Sequence, residues 1–119
     1  MAKILIVDDS KTSRRILRGI LENAGFEVIG DAENGEIGYL KYKELLPDLV
    51  TMDITMPNMD GIESLSLIKK ENPEAKVVMI TAAGQKEKMV EALKRGADEF
   101  VTKPYVQEEI VAIIKKLTE

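Results

Sequence analysis

Short apolar runs alternate along the chain with longer amphipathic ones. The short runs fall at residues 3–8 (KILIVD), 26–30 (FEVIG), 48–53 (DLVTMD), 76–81 (KVVMIT) and 99–103 (EFVTK). Three of these are nearly unbroken in aliphatic and β-branched residues, without polar alternation. That pattern predicts strands buried on both faces, as in a parallel sheet covered by helices. Between them the period changes to that of a helix. Ile16, Leu17, Ile20, Leu21 and Ala24 form one stripe, with Gly25 as its stop. Ile110, Ile113, Ile114 and Leu117 recur at i, i+3, i+4 and i+7. Further helical patterns cover residues 36–46, 62–71 and 86–95. Pro47 and Pro73 punctuate the turns from helix to strand, and Gly96 ends the fourth helix. Gly38 is a local misfit, costing its helix roughly 0.5–1 kcal/mol relative to Ala.

The order is therefore βαβαβαβαβα. Strict alternation implies parallel strands joined by right-handed crossovers. Five strands are too few for an eight-stranded barrel. The predicted fold is α/β: an open, doubly wound five-stranded parallel sheet, helices on both faces, in the flavodoxin-like order 2-1-3-4-5. A length of 119 residues suits one domain over residues 1–119, with none left for an output domain. Ile4 to Val7 followed by two acids is too short for the apolar core of a signal peptide, and no run approaches the ~20 residues of a membrane span. The expectation is a cytoplasmic protein without a membrane partner.

Composition narrows the chemistry. Only 4% of residues are aromatic, so the core is aliphatic. The net charge of -4 lacks the basic footprint of a nucleic-acid binder. There is no cysteine, hence no disulfide, zinc thiolate or thiol nucleophile. There is no histidine either, which removes imidazole acid–base catalysis and histidine-ligated metals. What remains is carboxylates, hydroxyls, lysines and backbone.

Those groups collect at the carboxyl ends of the strands, where doubly wound sheets bind ligands. The first strand ends in Asp8-Asp9, the third in Asp53, the fourth in Thr81 and the fifth in Lys103. Strands one and three are neighbours in the proposed order, so the three acids converge. Taken singly, each Asp reads as a turn or helix-cap residue, Thr81 as a cap and Lys103 as a solvated cation. Jointly they describe something else. Clustered carboxylates repel and call for a hard divalent cation such as Mg²⁺. A metal, a lysine and a hydroxyl together suit a phosphoryl group. A carboxylate can itself accept that group, and Asp53, the central acid, is the candidate.

These motifs resemble the response-regulator receiver domain, in its stand-alone CheY-like form used in chemotaxis. The matching segments are ILIVDDS, VTMDITMPNMDGIE around Asp53, MITA ending at Ala82, and GADEFVTKP ending at Pro104. The resemblance implies that Asp53 is the phospho-acceptor and that Asp9, Asp53 and the Thr55 carbonyl hold Mg²⁺, with Asp8 nearby. It implies that Thr81 is a switch hydroxyl, that Lys103 contacts the phosphoryl group, and that the Lys103-Pro104 bond is cis. Phe100 would be the switch aromatic, turning inward as Thr81 moves; plain core packing is its other reading. Thr55 and Ala83, two residues beyond Asp53 and Thr81, would tune dephosphorylation.

The same resemblance implies a monomer that is phosphorylated by a sensor histidine kinase and read by a flagellar motor switch protein. A histidine phosphotransferase, in a phosphorelay, is the alternative recipient, and a phosphatase partner is possible. The protein would phosphorylate and dephosphorylate itself at Asp53 without being an enzyme that turns over a substrate. Arg14, Arg15 and Arg18 lie on the kinase-docking helix, though a solvated face explains them too. Lys86, Lys88, Met89, Lys94, Tyr105 and Gln107 fall around the output face, and Met56 and Met59 beside the site would make its surface adaptable, though methionine in this loop is also common packing. A Mg²⁺-dependent phosphatase using an aspartyl phosphate needs an acid where this chain has Thr55. A flavodoxin needs a phosphate-binding loop where this chain has Asp8-Asp9-Ser10-Lys11.

Overall fold

A computed structural model describes residues 1–119. Ten elements follow in strict alternation: β1 (Lys3–Val7), α1 (Lys11–Asn23), β2 (Glu27–Ala32), α2 (Gly35–Leu45), β3 (Leu49–Asp53), α3 (Gly61–Glu71), β4 (Val77–Thr81), α4 (Lys86–Lys94), β5 (Glu99–Thr102) and α5 (Gln107–Thr118). The strands form one sheet in the order β2-β1-β3-β4-β5, and every pairing is parallel. The predicted architecture is the observed one. No helix is long and apolar enough to cross a membrane.

Alternation along each strand divides the core in two. Ile4 and Ile6 of β1, Leu49 of β3 and Val78 and Ile80 of β4 pack with Leu17 and Leu21 of α1 and Ile110 and Ile114 of α5. Leu5, Val7, Val50, Met52, Val77 and Met79 face the other way, against Tyr42 of α2, Ile62, Leu65 and Ile68 of α3 and Ala92 of α4. β3 and β4 are buried along their whole length, which is why they read as nearly unbroken apolar runs.

Three of the five helix starts follow from short polar side chains. Ser10 Oγ accepts from the Ser13 N–H, Asn34 Oδ1 from Ile37 and Asp60 Oδ1 from Glu63. Most boundaries differ from the sequence reading by a residue, and two differences have a clear physical cause. β2 continues through Asp31 to Ala32, because an edge strand tolerates a half-exposed acid. α2 stops one residue early, with Leu46 in the left-handed region at φ 48° and largely exposed. The misfit of Gly38 is resolved by distance: a Cβ there would lie 2.8 Å from Val7 Cγ2, so glycine lets α2 press against β1.

One core residue is mismatched. Thr51 is fully buried in the middle of β3, and its Oγ1 has no hydrogen-bond partner in the chain. An orphaned buried hydroxyl costs about 1–3 kcal/mol. Thr51→Val is therefore expected to stabilise the protein by about 1 kcal/mol, read as a higher urea midpoint with an unchanged slope.

Candidate functional site

The carboxyl edge of the sheet gathers the polar residues of four strand ends, those of β1, β3, β4 and β5. Asp8 has the parity of Ile4 and Ile6, and Asp53 that of Leu49, so both carboxylates emerge on the α1/α5 side. Asp8 and Asp53 are buried, at 2% and 8% exposure, whereas Asp9 is exposed. Each of the three offers a carboxylate oxygen, and these oxygens lie within 4.8 Å of one another. Lys103 enters from the end of β5, where the Lys103-Pro104 peptide is cis. Its Nζ donates to Asp8 Oδ2 at 2.9 Å and to Asp53 Oδ2 at 3.2 Å.

The backbone holds the acids in place. Asp8 Oδ1 accepts from the Ser10 N–H at 2.8 Å, and the Asp8 N–H donates to the Ala32 carbonyl at 3.0 Å. Asp53 Oδ1 takes a longer bond, 3.4 Å, from the Thr55 N–H. Gly61 begins α3 against the Asp53 carbonyl, where a Cβ would overlap the carbonyl oxygen. Arg14 does not belong to a solvated basic stretch. Its Nη1 donates to the Asp8 carbonyl at 2.6 Å and its Nε lies 3.4 Å from Asp31 Oδ2, tying the ends of β1 and β2 together.

The electrostatics follow from this crowding. Burial, then the neighbouring Asp8 charge, pushes the Asp53 carboxyl up to about 6, with Lys103 acting in the opposite direction. Burial disfavours the Lys103 charge, but bonds and charges from Asp8 and Asp53 outweigh it and raise its pKa. Three close carboxylate oxygens, one set at an open edge, are the donor set of a hard divalent cation, so the residues present fit Mg²⁺.

Thr81 and Phe100 come from the opposite face. Thr81 is buried, and its Oγ1 points at Met89 Sδ in α4, 3.9 Å away. Phe100 is half-buried and packs against the α2/α3/α4 half of the core. Ala83 is exposed. Of the two readings of the loop methionines, packing holds for Met56, which is buried in the α2/α3/α4 half of the core, while Met59 is half-buried. One expectation is corrected. Tyr105 packs on the α1/α5 half of the core with its hydroxyl enclosed and unpartnered, and burial pushes that phenol up to about 12. Two residues of α4 were missed: the exposed pair Val90 and Leu93 add apolar surface between the lysines. Gln85 was also missed; its carboxamide bridges Ala82 and Thr55 across the mouth of the site.

A doubly wound α/β sheet with an acidic cluster and a lysine at its switch-point edge defines the class. The chain belongs to the response regulator receiver domain family, whose model matches residues 4–115. It is 44% identical over 116 residues to the chemotaxis protein CheY of Listeria monocytogenes, covering 98% of each chain. It is 46% identical over 114 residues to CheY of Bacillus subtilis, covering 96% of this chain and 95% of that one. A solved CheX–CheY–BeF3–Mg²⁺ complex from Borrelia burgdorferi superposes with a TM-score of 0.92 at 37% identity, over 98% of this chain and 88% of that one.

Proposed function

We propose that this receiver is the aspartate half of a two-protein relay. Asp53 takes a phosphoryl group from a histidine of a sensor kinase, or from acetyl phosphate, and the modified protein signals in the cytoplasm to a flagellar motor switch protein. The observation that carries the reading is Asp53 itself: a carboxylate at a strand end, beside two further acids and bonded to a buried-edge lysine. With its pKa held near 6, it remains mostly ionised at neutral pH and available as a nucleophile.

An Asp53 carboxylate oxygen attacks phosphorus, forming an O–P bond as the N–P bond of the donor phosphohistidine breaks. The imidazole leaves with the electron pair. Lys103 turns from Asp53 Oδ2 toward the incoming oxygens and offsets their charge. Asp8, Asp9, Asp53 and the Thr55 carbonyl would hold Mg²⁺, which supplies further neutralisation of phosphoryl charge. Thr81 then has a charged acceptor in place of a weak thioether. Its movement leaves room for Phe100 to turn inward and alters the surface of α4, β5 and α5, where Lys86, Lys94, Val90 and Leu93 lie exposed. A groove of about 480 Å³ lined by Ser13, Ile16, Ile20, Lys103, Pro104 and Tyr105 runs beside the site and is the approach we assign to the kinase.

Intact mass after incubation with Mg²⁺ and acetyl phosphate tests this. One added phosphoryl group, lost in Asp53→Asn, is expected; an unmodified wild-type protein contradicts it. The exposed Ala83 presents no polar atom to orient a hydrolytic water, so the aspartyl phosphate decays slowly and a separate phosphatase partner is expected. Ala83→Glu should speed decay of the phosphorylated form by about tenfold, an order of magnitude less than a full general base contributes. Release of inorganic phosphate after donor removal measures it.

A further inference from the structure

Gln85 sits just before α4 but does not cap it; its side chain makes no bond to the helix N-terminus. The carboxamide turns back over the site instead. Oε1 accepts from the Ala82 N–H at 2.9 Å, and Nε2 donates to Thr55 Oγ1. One side chain thus ties the loop after β4 to the loop after β3. Little else restrains the first of these loops. Ala82, Ala83 and Gly84 are exposed, and Gly84, at φ +88°, has open space around it.

The position of Ala82 gives the bridge a consequence. Ala82 directly follows Thr81, and β4 lies against β3 with Ile80 opposite Asp53. The Ala82 N–H therefore sits on the rim beside Asp53. One N–H serves one acceptor well, and a charged phosphoryl oxygen is a stronger acceptor than a neutral amide. A group on Asp53 and the Gln85 carboxamide compete for the same donor.

We propose that Gln85 is a latch that holds the two loops in the unphosphorylated arrangement and must be displaced when the site fills. This rests on the reading of Asp53 as phospho-acceptor. The latch is a positioning device: it acts through Ala82 and Thr55 and sets how readily the loop follows Thr81. Because it favours only one of two states, its strength is subtracted from the affinity for whatever fills the site.

Beryllofluoride with Mg²⁺ is the probe, since it occupies the phosphoryl position without turnover. Gln85→Met keeps the length and removes both bonds. Loss of two exposed neutral hydrogen bonds predicts about three- to tenfold tighter binding than wild type. Thr55→Val frees one of the two and is expected to give a smaller gain. The double variant should bind no more tightly than Gln85→Met alone, a non-additivity that a general loosening of the fold would not produce. In the unliganded protein the Ala82 amide should exchange faster in Gln85→Met than in wild type. Equal or weaker binding by Gln85→Met, or fully additive variants, overturns the latch. Absence of beryllofluoride binding by the wild type overturns the reading of Asp53 and the latch with it, so the two failures are distinct.

Discussion

Replacing Lys103 with Met is expected to slow labelling of Asp53 by acetyl phosphate about 10²–10³-fold, the loss seen when one preorganised donor to a developing oxyanion is removed. Lys103 Nζ is the cation that hydrogen-bonds both Asp8 and Asp53. Its raised pKa keeps it charged throughout the neutral range. In the resting protein that charge separates two buried carboxylates; at the moment of transfer it faces the phosphoryl oxygens. The same substitution leaves Asp8 and Asp53 opposed without a counter-charge, which should destabilise the fold by about 1–3 kcal/mol at neutral pH. Initial rates of labelling, taken where circular dichroism shows the variant folded, separate the two effects. A rate within threefold of wild type would remove Lys103 from the transfer step.

Asp53→Asn should do the opposite to stability while abolishing labelling. Asp53 has an ordinary value of 3.8 and is held at about 6 in the folded chain, chiefly by burial and by the Asp8 charge. Folding therefore prefers the protonated form. On this account the contribution of Asp53 to stability is greatest below about pH 4 and is lost as the pH rises through about 6, above which the ionised carboxylate must be carried at full cost. That cost reaches about 3 kcal/mol at neutral pH, and solvent at the open edge brings it to about 1–2 kcal/mol. Asparagine retains the shape and an acceptor for Lys103 without the charge. In Mg²⁺-free buffer at pH 7 the variant is expected to be more stable by about 1–2 kcal/mol in urea, and the gain should vanish near pH 4. A destabilised variant at pH 7 would show that Lys103 outweighs the crowding of the acids.

What the sequence made legible and what it hid have separate physical causes. The central strands could be read because burial on both faces leaves them almost wholly apolar, as in β4 up to Thr81. The site could be read because a parallel sheet sends all its carboxyl ends to one edge, so Asp8, Asp53, Thr81 and Lys103 needed only their place in each strand. Side chains that act across long separations were hidden. Arg14 looks like one of three helix-surface cations, and only its bonds to Asp8 and Asp31 distinguish it from Arg15. Gln85 looks like a loop residue until its carboxamide is seen to span two loops. Gly38 looks like a flaw because the reason for it, Val7, lies on another element. Met56 and Tyr105 carry no sign in their neighbours of which way they turn.

The central claim is that one particular carboxylate carries the phosphoryl group, and borohydride trapping followed by peptide mapping tests it directly. Reduction converts an aspartyl phosphate to homoserine and leaves free carboxylates untouched. After incubation with Mg²⁺ and acetyl phosphate, homoserine is expected at position 53 and at neither Asp8 nor Asp9. Homoserine at another acid, or at none, would contradict the account.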